Sequence, residues 1–284
     1  MSAVWHALVH PWSQGIMQRA LVESLLLSLS GAALGCWVVF YEASYSAESL
    51  PHAMFPGLVV AALTGLPLVL GGALGLLVAA VAVALVGRVP AIGRDTGVAV
   101  VVTALFGLGV LLALSPSSPP GVQRLLFGDI LAITPGDLAL AAGLAAAVTL
   151  ALRLLHTRLL AVGFDRLSAR SVGARPLVAD LAVLVLLAVA VLIGVQALGN
   201  LLVVAVVVAP PSAARLHCRR MVPLMATAVG LAALAGLGGL YASYYLKTAA
   251  GASIAGVMVL TYLASLAVQA VRPAVTHERR TLPA

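Results

Sequence analysis

A chain of 284 residues that is 62% hydrophobic and only 9% charged has more apolar surface than a soluble core can bury, and its mean hydropathy of +1.13 marks a polytopic membrane protein. The net charge of +7 does not signal nucleic acid, because the basic residues sit in short loops between apolar runs, as membrane topology requires. No stretch is left over for a soluble domain, and two thiols, Cys36 in the first apolar run and Cys218 in a basic loop, give no disulfide framework.

Residues 1–20 mix Trp5, Trp12, His6 and His10 with apolar positions and read as an external interfacial segment. His6 and His10 are four apart, but imidazoles at headgroup level are a simpler account than a metal site. The first basic residue is Arg19, so the start lacks the charged region of a signal peptide and the first apolar run reads as a retained helix. Nine spans follow, near 21–41, 48–64, 66–86, 96–114, 136–155, 178–198, 199–214, 221–241 and 250–271. The expected fold is therefore all-α, with about nine transmembrane helices (eight is the alternative) in one membrane domain over 21–271 and a tail at 272–284. Spans 48–64 and 199–214 are short and carry prolines, a feature of helices that line pathways.

Thirteen arginines, at 88, 94, 153, 158, 166, 170, 175, 215, 219, 220, 272, 279 and 280, fall on one side of this topology, against Arg19, Arg124 and Lys247 on the other. The positive-inside rule then puts the carboxyl terminus in the cytoplasm and the amino terminus outside. Tyr41 and Tyr45, and Tyr241, Tyr244 and Tyr245, fit aromatic belts, while Gly31 with Gly35 and Gly71 with Gly75 fit close helix packing. The external loop 115–135 holds an apolar patch, Leu125 to Ile133, that is too short to span and reads as a re-entrant or surface helix. The cytoplasmic segment from His156 to Pro176 has four arginines and an amphipathic core, suited to a short helix along the inner surface on which a soluble partner docks.

Ionisable residues inside spans are the informative ones, since each costs about 3 kcal/mol at mid-bilayer on insertion scales and is usually functional. Asp137 and Asp180 lie where a carboxylate caps a helix start. Glu23 sits near the outer end of its span, within reach of the interface. Glu48 and His52 differ: four apart in YEASYSAESLPHAMFPG, they share a helical face and supply a carboxylate and an imidazole, two ligands for a divalent transition metal. Pro56 has no N–H, so the carbonyl of His52 loses its helical partner and is free to face a cavity or an ion. An interfacial salt bridge with a loop arginine is the other reading of the pair. No phosphate-loop, His-Glu-x-x-His or Gly-x-Ser-x-Gly motif occurs, and His217 beside Cys218 reads as a surface loop.

The stretch SYSAESLPHAMFPG resembles the Ser-x-x-Gly-Asp-x-Leu-x-His-Ala-x-x-Pro-Gly pattern of the permease subunits of bacterial zinc, manganese and iron ABC importers. RDTGVAVVVTALFGLGVLL (94–112), LLFGDILAITPGDL (125–138), GVQALGNLLVVAVVVAPPSAARL (194–216) and GLYASYYLKTAAGASIAGVMVL (239–260) are similar to further stretches of that family, in the same order. The resemblance covers about residues 20–271. It implies a homodimeric pathway, a cytoplasmic subunit that uses ATP, and an extracytoplasmic binding protein that delivers the ion. It also implies that Glu48 and His52 are the membrane metal ligands, Glu48 standing where the family usually has Asp. The family's coupling segment falls on 165–176, with Asp165, Arg166, Ala169, Val172 and Gly173 as partner-coupling residues. Lys247, Thr248 and Ala249 replace an acidic residue and a proline common near the family's last external turn.

The sequence thus points to an inner-membrane importer subunit for Zn or Mn, with Fe a third option, that binds no cofactor tightly and is no enzyme itself. Since an imidazole must be neutral to bind metal, transport is expected to fail as His52 protonates. The main alternative is a stand-alone proton-coupled transporter in which Glu48 and His52 relay protons. A membrane enzyme lacks a catalytic cluster, and a mere anchor leaves Glu48 and His52 unexplained.

Overall fold

The computed structural model describes residues 9–86, 94–116, 126, 128–171, 173, 175–200 and 202–278, and no strand occurs among them. Apolar runs rich in Ala, Leu and Val fold as helices because in lipid every backbone group needs a partner within its own segment. In chain order the helices are α1 Gly15–Phe40, α2 Ser44–Thr64, α3 Leu68–Val86, α4 Arg94–Ala113, α5 Pro135–Phe164, α6 Arg166–Ser171, α7 Pro176–Leu198, α8 Val203–Arg215, α9 Met221–Leu246 and α10 Ala250–Glu278. Six of them, α1, α4, α5, α7, α9 and α10, are long and apolar enough to cross a membrane by length and composition, and α3 and α8 add shorter apolar stretches.

A helix overlaps each of the nine expected apolar runs, and several helices run past the apolar windows at their ends. The first begins at Gly15 and the last reaches Glu278, because a helix carries its hydrogen-bond ladder through interfacial polar residues where hydropathy has already fallen. The Ser44–Thr64 helix has 21 residues, about 31 Å at the usual rise, so the segment expected to be short is not.

Helix α1 is the spine. It contains one π-helical turn, Ser28–Ala32, where Ser28 Oγ donates to Ser24 O (2.7 Å) and Ser30 Oγ donates to Leu26 O (2.8 Å). Such hydroxyls compete with the backbone for carbonyls and ease a local change of pitch. One side of α1, with Leu34, Trp37 and Val38, packs into a core with Phe55 and Leu58 of α2, Leu152 and Leu159 of α5 and Leu187 and Val191 of α7. Its other side, with Ala20, Leu27 and Cys36, packs against Ala228, Ala232 and Leu240 of α9 and Ile254 of α10. Helices α2, α3 and α4 form one packed group and α8, α9 and α10 another. The outer faces stay apolar, as at Leu74, Leu77 and Val78 of α3 and Val185 of α7, which suits contact with lipid.

The capping expectation divides. Asp137 joins Thr134 in a capping box at the start of α5, each side chain answering the other's backbone N–H. Asp180 does not cap α7, whose first turn holds no acidic residue because the helix already starts at Pro176. Glu23 does not reach the interface: it is buried between α1 and its neighbours, at 2% exposure. Of the expected surface helix in the 115–135 loop, the described residues include a helical, buried Leu126 and one 3₁₀ turn, Ile130–Ala132, with Ile130 buried.

Candidate metal centre

A left-handed turn at Glu42 (φ 57°) reverses the chain after α1 and launches α2. Pro51 and Pro56 both lie inside this continuous helix, so the carbonyls of Ala47 and His52, four residues earlier, lack a helical N–H. Around them α2 is tightly held, since Met54, Phe55, Leu58 and Val59 are all buried. Glu48 is exposed in the single chain, and His52, one turn on, is half-buried.

Three neighbouring elements meet His52 or its surroundings. Phe106 of α4 lies over the imidazole, with ring centroids 4.5 Å apart and planes inclined at 32°, and also packs on Phe55. Gly109 of the same helix lets α4 approach α2, because a Cβ there would sit 2.5 Å from the Phe55 ring. From the turn between α7 and α8, the fully buried Asn200 places Nδ2 at 3.2 Å from His52 Nδ1. That turn is pinned by a backbone contact: Gly128 (φ +71°) lies so close to it that a Cβ would meet Gly199 N at 2.3 Å, and Asp129 N donates to Gln196 O. The stretches 94–112 and 194–216 therefore meet the helix that carries Glu48 and His52, and Gly128 and Asp129 brace the turn that holds Asn200.

Among the described residues no group of three or more His, Cys, Asp or Glu side chains forms a ready metal cage. Glu48 and His52 stand as a pair, and the other donors at hand are carbonyl oxygens and the Asn200 amide. Reasoning restricted to ionisable residues passed over Asn200. Its signal is a lone carboxamide inside an otherwise apolar run, Leu198-Gly-Asn-Leu-Leu.

The remaining expected site residues lie apart. Glu23 is buried with Oε2 lacking a hydrogen-bond partner. At the end of α5, Asp165 accepts from Leu167 N (2.9 Å) and from Ser168 Oγ, so it caps α6. The Ser168 hydroxyl first, then the N–H groups of Leu167 and Ser168, hold its carboxyl below the usual carboxylate range. Arg166 opens α6, Ala169 is buried in the core, Gly173 follows with φ +77°, and Val172 lies outside the described residues. At the opposite end of the bundle, His10 Nδ1 contacts Tyr244 Oη (2.9 Å) and Trp12 Nε1 donates to Tyr241 Oη (2.7 Å), strapping the amino-terminal turn to α9; His6 lies outside the described residues.

Known proteins are similar to this chain over most of its length. The manganese import system permease protein ScaB of Streptococcus parasanguinis is 27% identical over 249 residues, 88% of this chain and 89% of the relative. The chelated iron transport system membrane protein YfeD of Yersinia pestis is 26% identical over 273 residues, 96% and 92% of the two chains. The solved structure of PsaBC from Streptococcus pneumoniae in complex with Fab superposes with a TM-score of 0.86 at 25% identity, covering 92% of this chain and 95% of that one. The ABC 3 transport family matches residues 13–269, from just before α1 into α10, and the chain belongs to that family.

Proposed function

We propose that the chain is the transmembrane permease subunit of an ATP-driven importer for a divalent transition metal, working as a homodimer in the bacterial cell membrane with its carboxyl terminus in the cytoplasm. The observation that carries this reading is an imidazole and a carboxylate one turn apart on one helix, the imidazole met by Asn200 from the turn between α7 and α8, in a chain matched by the family from residue 13 to 269. Carboxylate and carbonyl oxygens suit Mn, and an imidazole suits Zn and Fe. The named cargoes of the relatives, manganese and chelated iron, favour Mn or Fe, with Zn a further option. The chain carries no phosphate-loop motif, so a cytoplasmic partner supplies ATP hydrolysis and an extracytoplasmic binding protein delivers the ion. Glu48 and His52 take the ion up transiently as movement transmitted through 165–176 switches access.

Reconstitution tests the reading. With its ATPase and binding protein in proteoliposomes, the chain is expected to accumulate manganese only when ATP is hydrolysed. Uptake by the chain alone under a pH gradient would instead establish a proton-coupled carrier.

The coupling segment gives a pH prediction. A capping carboxylate with a lowered folded pKa contributes fully above the ordinary range of about 3.9 and is lost only as pH falls below it. Association with the ATPase is therefore expected to show no inflection from Asp165 between pH 8 and 5. Asp165→Ala weakens it several-fold and Asp165→Asn, which still caps, does not. Binding isotherms of the purified subunits across that range check this, and equal weakening by both substitutions would replace the cap with a charge contact.

A further inference from the structure

Asn200 is 0% exposed, and its Oδ1 has no hydrogen-bond partner. Its Nδ2 faces His52 Nδ1 at 3.2 Å. In that orientation the amide N–H donates to Nδ1, which leaves a proton on Nε2 and no free lone pair on the ring. It also strands a buried carbonyl oxygen, a loss of about 1–3 kcal/mol. The oxygen and nitrogen of a carboxamide are interchangeable in position, and their hydrogen-bond network decides between them. A half-turn of this amide removes the first of these defects: Oδ1 then stands at the Nδ1 edge and accepts a proton from it, while the NH2 group takes the buried place of the oxygen.

We propose that Asn200 is the positioning residue for His52, its amide oxygen accepting the Nδ1–H so that the Nε2 lone pair faces the transported ion. The inference rests on the reading of His52 as a metal ligand. Ligating histidines commonly donate the second ring N–H to an oxygen, which fixes tautomer and orientation. Here the surroundings hold both partners still. Phe106 covers a face of the imidazole, and Asn200 is fixed by Gly199 (φ +82°) and by the backbone of Gly128 packed against it. A neutral carboxamide does this in a fully buried position without adding a charge that would itself need compensation.

Solid-state NMR of the full chain in nanodiscs with ¹⁵N-labelled histidine reads the tautomer directly, the His52 signals being those lost in His52→Gln. The expected result is a protonated Nδ1 and a bare Nε2; a protonated Nε2 overturns the proposal with no variant of Asn200 needed. In the same preparation Asn200→Leu is expected to lower Mn²⁺ affinity 10–100-fold, while Asn200→Asp, which keeps the acceptor, restores most of it. Unchanged affinity in Asn200→Leu alongside a large loss in His52→Gln defeats this proposal alone. Unchanged affinity in His52→Gln defeats the ligand reading on which it rests.

Discussion

Replacing His52 by alanine is expected to reduce manganese uptake by at least about 100-fold, beyond the 10–100-fold typical of losing a residue that merely supports a metal ligand, while the protein stays folded. The second half of that expectation follows from packing. The ring is only half-buried, whereas Met54, Phe55 and Leu58 on the same helix carry the core contacts. Glu48→Gln is expected to lose less, because Glu48 is exposed in the single chain and water can stand in for part of its role. Uptake of radioactive manganese by cells lacking the native gene, normalised to permease content, measures both. Uptake by His52→Ala equal to the parent would remove His52 from the pathway, and equal losses from the two substitutions would mean that Glu48 is desolvated in the working assembly.

The single helix that carries Glu48 and His52, and the two prolines inside it, were legible in the sequence because each signal is local: spacing sets the helical face, and a missing N–H frees a carbonyl wherever the helix goes. The cap at Asp137 was legible for the same reason. Asp180 and Glu23 misled because their roles depend on where a helix begins and on what packs beside it, and Pro176 set the first while α5 and α9 set the second. Asn200 escaped because its meaning is tertiary. It lies 148 positions from His52, and only the backbone contact of Gly128 with the Gly199 turn shows why a polar side chain is held there. Gly71 and Gly75 were recognisable as a close-packing pair, but their partner was not.

That partner is Gly57, the residue after Pro56, and Gly57→Val is expected to leave little folded permease. A Cβ at Gly57 would stand 2.2 Å from Gly71 O and 2.8 Å from the Cα and N of Gly75. All three obstacles are backbone, so no side-chain rotation relieves them and α2 must part from α3. Overpacking of a tight core typically costs about 1–3 kcal/mol; the smallest version, Gly57→Ala, belongs in that range and the branched valine beyond it. Gly143→Ala is the control, because nothing lies within 4 Å of its Cβ and alanine in a helix interior gains up to about 1 kcal/mol over glycine. Thermal unfolding in detergent followed by size exclusion is expected to rank Gly143→Ala at or above the parent, Gly57→Ala below it, and Gly57→Val as largely aggregated. A Gly57→Val protein that melts like the parent would show that the two helices do not touch there. Because Gly57 lies five residues from His52 on one helix, its failure and that of His52→Ala both end uptake. Only the first is expected to end it by unfolding, so the melting curve separates the residue that holds the helix from the residue that meets the ion.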